Sequence, residues 1–276
     1  MSSDLHRTTV NGCEMRYLRV GSGIPVVLVH TLRTQLEMFL GVIEQLDTTR
    51  FQAIAIDLPG HGESTAPAVD YTADYFADAV ERLLRQLEVN DVIFVGESIG
   101  ACVGLILAAR GDARIARVVA VNPYDYGRWG GARRSSVLNN VVFTTILWPV
   151  LGPIVARAGT NGVLRMVLAG GVHDRHRLTE ALIEDLSRCG RLPGHARAFR
   201  SLCLQWRTWI TARAQYAEVR VPVTLVYGDE DWSRPAEREA NSQQIPGARL
   251  MTLDAAGHFA SLDEPAEIAE LIMRST

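Results

Sequence analysis

The sequence lacks the features that mark several specialised classes of protein. Its formal net charge is only −3 over 276 residues, so no basic excess indicates nucleic-acid binding and no acidic tail indicates a solvating segment. It contains no internal repeat and no low-complexity tract. Its four cysteines, Cys13, Cys102, Cys189 and Cys203, lack the spacing of a metal site. With 47% hydrophobic residues, the composition is that of an ordinary globular protein with a sizeable core.

The chain also lacks an uninterrupted apolar run that would suit a membrane span. Residues 137–158 are strongly apolar, but a spanning helix would rarely carry as many breaks as this stretch has. The breaks are Asn139, Asn140, Pro149, Gly152 and Pro153. We therefore predict no membrane span and interpret the stretch as an apolar lid over a substrate pocket. Residues 1–10 are polar and lack the apolar core of a signal peptide, so we expect a cytoplasmic protein.

Strand-like and helix-like patterns alternate along much of the chain, which is typical of a parallel sheet with crossover helices. Residues 8–20 predict an N-terminal hairpin that turns at Asn11-Gly12. Further strand-like runs are rich in Val, Ile and Leu, as expected for strands covered on both faces. These runs are 24–30, 51–58, 92–95, 115–122, 221–228 and 249–253. The sequence thus predicts an α/β fold with a mostly parallel eight-stranded sheet flanked by helices.

The helical patterns fall into two groups. Those between strands are 36–46, 72–87, 99–110, 235–244 and 265–274. Thr72 and Asp263 are predicted N-caps, with Pro265 early in the last helix. The alternation stops between Tyr124 and Glu218, where the helical patterns are 135–148, 162–168, 177–189 and 195–214. We predict a helical cap inserted after the sixth strand, with residues 1–123 and 219–276 forming the core and 124–218 forming the cap.

The segment 92–100 carries the strongest chemical signal. An apolar run rich in β-branched residues ends in Gly96-Glu97-Ser98-Ile99-Gly100, and an apolar helical pattern follows directly. Strand, sharp turn and helix with a serine at the apex hold the hydroxyl above the sheet edge in a strained backbone conformation. The two glycines leave room for the neighbouring strand and helix. We predict that Ser98 is a nucleophile.

A serine hydroxyl is a poor nucleophile at neutral pH, so it needs a base, and the base needs an orienting carboxylate. Such groups gather beyond the carboxyl ends of the strands. Asp229 and Asp231 follow the seventh strand-like run, and His258 follows the last. We predict His258 as the base and Asp231 as the acid, in the chain order expected on this type of sheet. Asp229 and Asp125 remain alternatives for the acid.

At these motifs the chain resembles the capped branch of the α/β-hydrolase fold family, which includes esterases, lactonases, dehalogenases, perhydrolases and C–C hydrolases. The resemblance covers essentially the whole chain and is carried by four segments in order. They are Val29-His30, Asp57-Leu58-Pro59-Gly60-His61-Gly62-Glu63-Ser64, Gly96-Glu97-Ser98-Ile99-Gly100, and Gly257-His258-Phe259 before Asp263-Glu264-Pro265. It implies Asp231 as the acid, three residues after the glycine that ends its strand. It also implies an oxyanion hole made by the backbone N–H groups of Leu32 and Ile99.

One departure from the family pattern concerns this oxyanion hole. The family usually has His-Gly here, whereas Thr31 follows His30 in this chain. A Cβ narrows the backbone choices and could shift the N–H of Leu32. We expect a modified hole in which the Thr31 hydroxyl contributes a hydrogen bond. A lost donor would cost about 3 kcal/mol of transition-state stabilisation.

Other polar and aromatic residues have two readings each. Arg33 either meets a carboxylate on the substrate or pairs with Glu37 at helical spacing. Trp148 either packs in the lid, as expected for Trp129, or lines the pocket. Arg128 is expected at the surface or the pocket rim.

Histidines in the insertion do not predict a metal site. His173, His176 and His195 lie near Asp174 along the chain, but Arg175 and neighbouring arginines argue for a solvated face. His30 and His61 are expected to support the site without a direct catalytic role. We predict no metal and no cofactor.

These residues and the resemblance predict a serine hydrolase that acts through an acyl-enzyme on an ester, thioester or lactone of a small to medium, partly apolar molecule. C–C bond hydrolysis or another triad-dependent reaction would use the same residues. A non-catalytic ligand-binding relative is a further alternative. Ser98 stands where dehalogenation needs a carboxylate, which argues against that reaction. The expected partner is a small molecule rather than nucleic acid, and a homodimer is left open.

Overall fold

The computed structural model describes residues 4–126, 131–157 and 160–275. One eight-stranded sheet runs through the molecule. Its strands are β1 Asp4–Val10, β2 Cys13–Gly21, β3 Ile24–Val29, β4 Phe51–Ile56, β5 Val92–Glu97, β6 Ile115–Val121, β7 Val223–Gly228 and β8 Arg249–Leu253. Their spatial order is β1-β2-β4-β3-β5-β6-β7-β8. β2 pairs antiparallel with β1 and β4, and all other pairs are parallel, so the predicted mostly parallel sheet is confirmed.

Helices join and cover the strands. Before β6 they are α1 Leu40–Gln45, α2 Ala73–Gln86 and α3 Ile99–Ala109, with a 3₁₀ turn at Leu36–Phe39. Between β6 and β7 they are α4 Ala132–Ser135, α5 Val137–Thr145, α6 Leu151–Arg157, α7 Asn161–Leu168, α8 Glu180–Gly190, α9 His195–Leu204 and α10 Trp206–Ala212, with 3₁₀ turns at Arg175–Arg177 and Arg213–Glu218. After β7 they are α11 Pro235–Gln244, α12 Ala260–Asp263 and α13 Pro265–Arg274. The helical insertion after the sixth strand is therefore present.

Side-chain alternation along the central strands builds two apolar layers. In β3, Val27 and Val29 pack with the side of the sheet that α2 and α3 cover, while Val26 and Leu28 pack with the side that α1 and α13 cover. All four side chains are fully buried, as expected for a parallel strand between two helical layers. This core fixes the carboxyl ends of β5, β7 and β8 at one edge of the sheet.

Of three local signals at the element ends, two are confirmed and one is wrong. Asn11 and Gly12 adopt φ values of 51° and 74°, the positive pair that a two-residue hairpin turn requires. The Thr72 hydroxyl accepts a hydrogen bond from the Tyr75 N–H at 3.1 Å and caps α2. Asp263 does not cap α13, because it ends the short helix α12 and turns its carboxylate to other backbone N–H groups.

Within the apolar stretch, residues 137–157 form two short helices rather than one long one. α5 ends at Thr145 and α6 begins at Leu151, after Pro149. Among the residues that the structure describes, no helix has the length and apolarity to cross a membrane.

Candidate active site

Ser98 occupies a strained turn between β5 and α3. Its backbone has φ 58° and ψ −112°, a conformation that costs about 1–3 kcal/mol and persists only where the surroundings enforce it. The Ser98 N–H donates to the carbonyl oxygen of Val121 on β6 at 2.8 Å. The turn lifts the hydroxyl beyond the sheet edge, so the strain serves to present the side chain.

The glycines on either side of Ser98 are required by close backbone approach. A Cβ on Gly96 would lie 2.2 Å from the carbonyl carbon of Gly100, and a Cβ on Gly100 would lie 2.1 Å from the carbonyl oxygen of Val29. No side chain fits such distances. The sequence prediction that these glycines make room for the neighbouring strand and helix is therefore correct.

Three predicted side chains meet at this edge. His258 Nε2 lies 2.9 Å from Ser98 Oγ, and His258 Nδ1 lies 2.6 Å from Asp231 Oδ1. Ionised Asp231 can only accept, so Nδ1 carries a proton and Nε2 is free to accept from the Ser98 hydroxyl. All three residues are buried, with 1%, 8% and 1% exposure for Ser98, Asp231 and His258. The arrangement can transfer a proton from the hydroxyl to the imidazole.

The second oxygen of Asp231 is held by the chain that follows it. Asp231 Oδ2 accepts from the Ser233 N–H at 2.8 Å and also from the Ser233 hydroxyl. Burial raises the pKa of Asp231, but the His258 ring and the hydrogen bonds from His258 and Ser233 outweigh burial and hold that pKa below its ordinary value. Neither alternative acid contacts the histidine, because Asp229 accepts from Ala256 N–H and buried Asp125 accepts from Asn241.

Three aromatic side chains pack against the imidazole, a feature that we did not predict. The Trp232 ring stacks on His258 with centroids 3.8 Å apart and an interplanar angle of 13°. Tyr124 and Phe259 approach the same ring at 6.1 and 5.6 Å. The position of Trp232 directly after Asp231 was an available signal, since a side chain there points back toward the base.

Asn122, directly after β6, connects two loops of the site. The acid loop follows β7 and carries Asp231, and the base loop follows β8 and carries His258. The Asn122 Nδ2 donates to the carbonyl oxygens of Gly257 and His258 at 3.0 and 3.1 Å, and its Oδ1 accepts from the Gly228 N–H at 3.0 Å. We did not predict this role of Asn122. A polar residue that ends an otherwise apolar parallel strand was the available signal.

The segment 170–174 of the cap is fastened to these same loops. Trp232 Nε1 donates to the Gly170 carbonyl at 2.7 Å, and the Phe259 N–H donates to the Gly171 carbonyl at 2.9 Å. The Asp263 carboxylate accepts from the N–H groups of His173, Asp174 and Gly257, at 2.9, 3.1 and 2.9 Å. The base loop and the cap therefore share one hydrogen-bonded junction.

Glu97, directly before the serine, is a third feature that we did not predict. It is fully buried, and its Oε1 accepts from the Ser261 N–H at 2.9 Å. Burial raises the pKa of Glu97 to about 8, so this carboxyl is mostly neutral at pH 7. A charged residue type within an apolar strand end was the signal available in the sequence.

The loop after β3 forms another part of the site. The buried His30 ring donates from Nδ1 to the Thr31 carbonyl at 2.7 Å and accepts at Nε2 from the Leu58 N–H at 3.0 Å. Burial lowers the pKa of His30, which keeps the ring neutral for this dual role. The left-handed residue of the loop is Arg33, at φ 64°, so Thr31 keeps a backbone conformation that tolerates its Cβ.

Arg33 does not make the ion pair with Glu37 that was one of its two readings. Glu37 pairs instead with Arg16 at 2.9 Å. The Arg33 guanidinium lies over the Phe199 ring, 5.0 Å from its centroid, and burial lowers its pKa.

A cavity of about 340 Å³ joins the serine to the cap. Ser98, His258, Thr31 and Leu32 form its floor, and Arg33 lies on its wall. Apolar side chains of α5, α6 and α7 form much of its roof, including Leu138, Val142, Val155, Val163, Leu164 and Val167. Such a cavity suits a largely apolar small molecule with one polar group near the serine.

Two predictions about the cap have different outcomes. Trp148 is 54% exposed and lies outside the cavity wall, so both expectations for it, packing in the lid and lining the pocket, are wrong. Arg200 donates to the carbonyl oxygens of Ile146 and Trp148 at 3.1 and 3.3 Å and fixes a turn that leaves the indole outside. Arg128 and Trp129 lie outside the described residues.

The histidines of the insertion do not gather. His173 contacts Glu230 at 2.9 Å, whereas buried His195 reaches the Gly62 carbonyl at 3.1 Å. Within residues 4–126, 131–157 and 160–275, no group of three or more His, Cys, Asp and Glu side chains is arranged to hold a metal ion.

Comparison with known proteins agrees with this geometry. A family model described as alpha/beta hydrolase fold matches residues 24–152. An uncharacterized protein of Mycobacterium tuberculosis (strain ATCC 25618 / H37Rv) is 28% identical, over 96% of this chain and 79% of that protein. The uncharacterized hydrolase YugF of Bacillus subtilis (strain 168) is 26% identical, over 98% of this chain and 97% of that protein.

Solved structures extend the agreement to the whole fold. The epoxide hydrolase CorEH superposes with a TM-score of 0.84 at 21% identity, over 99% of this chain and 98% of that one. At this identity the likeness concerns the fold. Together with the relatives, it indicates a hydrolase. The chain has the α/β-hydrolase fold, and its residues 24–152 match the model of that family.

Proposed function

We propose that the protein is a serine hydrolase that cleaves an ester, thioester or lactone through an acyl-enzyme. The observation that carries this proposal is the pair of short contacts from His258, 2.9 Å to Ser98 and 2.6 Å to Asp231. An imidazole that accepts from a hydroxyl on one side and donates to a carboxylate on the other is the arrangement that activates serine.

The first half of the reaction forms the acyl-enzyme. Ser98 Oγ bonds to the substrate carbonyl carbon while its proton passes to His258 Nε2, and the carbonyl π electrons move onto oxygen. The backbone N–H groups of Leu32 and Ile99 stabilise that oxyanion. When the tetrahedral adduct collapses, the leaving group departs and takes the proton from His258.

The second half regenerates the enzyme. Water gives a proton to His258 Nε2 and attacks the acyl carbon, and the ester bond to Ser98 Oγ breaks as the oxygen regains that proton. Asp231 stabilises the imidazolium in both halves without becoming protonated. The apolar roof limits the cavity to few waters, which strengthens these electrostatic contacts.

The substrate in this proposal is largely apolar and carries one carboxylate. Arg33 is the cationic side chain on a cavity wall otherwise dominated by apolar groups, and Phe199 supports its guanidinium at 5.0 Å. No ion pair occupies Arg33 within the described residues, since Glu37 pairs with Arg16. A guanidinium in a low-dielectric cavity binds a carboxylate through two parallel hydrogen bonds.

A fluorophosphonate probe tests the nucleophile directly. We expect one probe molecule per chain, located at Ser98 by peptide mass spectrometry, and no labelling of Ser98→Ala. Ser22→Ala is the matched control, because Ser22 is exposed and lies far along the chain from the turn at Ser98. It should label as the wild type does.

Turnover then defines the bond that is cleaved. We expect release of acid and alcohol, thiol or hydroxy acid from a series of apolar esters, thioesters and lactones of graded length. If the folded protein neither reacts with the probe nor turns over any activated ester, the proposal is wrong and a ligand-binding role replaces it.

A further inference from the structure

The outer face of the cap exposes an unusual amount of apolar surface. Of the thirteen large apolar side chains exposed in the described residues, seven lie within residues 137–166. They are Val137, Val141, Trp148, Val150, Leu151, Ile154 and Met166. Large apolar side chains clustered on a surface mark an interaction site, whereas single ones need no explanation.

Four of these side chains form one prominence on the connection from α5 into α6. Trp148, Val150, Leu151 and Ile154 are 54%, 75%, 42% and 58% exposed, and they lie within seven consecutive residues, so they are neighbours in space. Arg200 fixes this prominence by donating to the carbonyl oxygens of Ile146 and Trp148. We call residues 148–154 the cap tip.

The charged residues of the cap segment that contains the cap tip are all basic, although Arg134 and Arg165 pair with Glu237 and Glu180 outside that segment. None of the 31 acidic residues lies between Asp125 and Asp174, whereas five arginines do. The chain contains no lysine, so all 28 of its basic residues are arginines. Arginine presents a planar fork of donors that matches phosphate oxygens.

A groove beside the cap tip gathers more of this charge. Pro153 and Arg157 of α6 face Arg197 and Arg200 of α9 across it, with Asp70 as its acidic member. Arg197 and Arg200 donate to backbone carbonyls, those of Ala66, Ile146 and Trp148. No ion pair to a carboxylate neutralises these three arginines within the described part of the chain, so the groove stays cationic.

The same helices line the substrate cavity on their inner face. In α5, Leu138 and Val142 line the cavity while Val137 and Val141 point outward. In α6, Val155 lines the cavity while Ile154 is exposed. An apolar molecule that leaves a surface bound to the cap tip therefore has only one layer of helices to pass.

We propose that the cap docks on an anionic phospholipid bilayer. The cap tip inserts its apolar side chains at the boundary between headgroups and acyl chains, Trp148 lies at the headgroup level, and Arg157, Arg197 and Arg200 contact lipid phosphates. A second protein copy would cover the apolar surface but would meet the same uncompensated arginines, since the cap segment between Asp125 and Asp174 offers no carboxylate. The bilayer satisfies both features, and the docking does not depend on the serine chemistry.

Vesicle co-sedimentation of the full chain tests this. We expect binding to vesicles of phosphatidylcholine mixed with phosphatidylglycerol, and much weaker binding to phosphatidylcholine alone. Ile154→Asp should weaken binding at least about tenfold, because it places a charge where apolar area was buried. Leu5→Asp on β1 is the matched control, since Leu5 is 53% exposed and lies outside the cap tip and the groove beside it; it should bind as the wild type does.

A separate variant tests how much the arginine charges contribute to vesicle binding. Arg157→Glu should weaken binding about thirtyfold at low salt, a change of two charges at about fivefold each. Arg249→Glu, on the edge strand β8, should have little effect. Ile154→Asp and Arg157→Glu should keep the wild-type melting temperature and the wild-type rate on a water-soluble substrate, because both residues are exposed and neither lines the cavity.

Three results would overturn the proposal. The first is failure of the wild type to sediment with anionic vesicles. The second is binding that the cap variants leave unchanged. The third is a dimer, measured by analytical ultracentrifugation, that Ile154→Asp dissociates while vesicle binding is absent, which would assign the cap tip to a second copy. Since binding is read without turnover, a Ser98→Ala protein gives the same answer, and failure of the proposed hydrolase activity stays distinguishable.

Discussion

The floor of the cavity and the cap above it differ in how their surfaces are used. On the floor, Ser98, His258 and Asp231 are buried and hydrogen-bonded in series, and Trp232 stacks on the central ring. In the cap, helices α5 to α7 are apolar on the face toward the cavity and also on the face away from it. A polar network needs every partner in place, whereas apolar packing tolerates change as long as volume and pattern are kept.

This difference means that different parts of the molecule determine the reaction and the choice of substrate. The floor determines the reaction, because a few reacting atoms there must keep their relative positions to within a few tenths of an ångström. Substrate choice is set by the cap and by Arg33, which stands between them on the cavity wall. We therefore expect the largest effect at Asp231 on the floor, a smaller one at Glu97 directly before Ser98, and the smallest at Arg33, between the floor and the cap.

Asp231→Asn tests the floor and should have the largest effect. The amide removes the carboxylate that fixes the His258 tautomer, so we expect kcat to fall about 10⁴-fold, measured on the best ester found by screening. Asp254→Asn, at an exposed carboxylate just after β8, should change kcat little. A loss smaller than about tenfold in Asp231→Asn would place the acid elsewhere.

Glu97→Gln tests the buried carboxyl directly before Ser98 through the pH dependence of the free energy of unfolding. The folded protein binds the Glu97 proton up to about pH 8, while the unfolded chain releases it near its ordinary pKa of about 4.3. Between these values the folded state holds more protons, so the free energy of unfolding falls as pH rises. We expect a fall of about 3 kcal/mol between about pH 5 and pH 8 that the variant lacks.

Urea unfolding at several pH values measures this slope. Glu44→Gln, at an exposed glutamate of α1, should keep the wild-type slope. Equal slopes in the wild type and Glu97→Gln would mean that the buried carboxyl is charged in the folded state.

Arg33→Gln tests the boundary between the floor and the cap and should have the smallest effect. We expect kcat/KM for an ester that carries a free carboxylate to fall about thirtyfold, the loss of about 2 kcal/mol from hydrogen bonds to a charged group. The same ester with its carboxylate methylated should be nearly unaffected. Arg133→Gln, whose side chain donates to Asn140 outside the cavity wall, is the matched control. Equal losses on both esters would show that Arg33 supports the loop instead.

The fold followed from the sequence where local signals agreed with each other. Asn11-Gly12 between alternating runs predicted the first hairpin, and the apolar runs predicted six further strands within a few residues of their observed ends. α6 was missed because Pro149, Gly152 and Pro153 signal a break. The helix begins after the first of these, and Pro153 falls in its first turn, where no helical hydrogen bond from its nitrogen is needed.

The site followed from the sequence only in its linear motifs. Ser98 and His258 have strong neighbours in the chain, and Asp231 was chosen over Asp229 by the resemblance. Asn122 and Trp232 act on His258 through space. The neutral state of Glu97 depends on burial, and the exposure of Trp148 depends on a turn held by Arg200. Such features come from long-range packing, which a single sequence does not encode in its local pattern.

The fastening of residues 170–174 has a consequence for how the lid can move. Gly170, Gly171, His173 and Asp174 are bound to side chains or backbone of the acid and base loops. A swing of the lid about its far edge would tear these bonds and displace His258 from its neighbours. The junction therefore holds this end of the lid in place, and we expect any opening movement of the lid to occur at its other end, at α5 and α6.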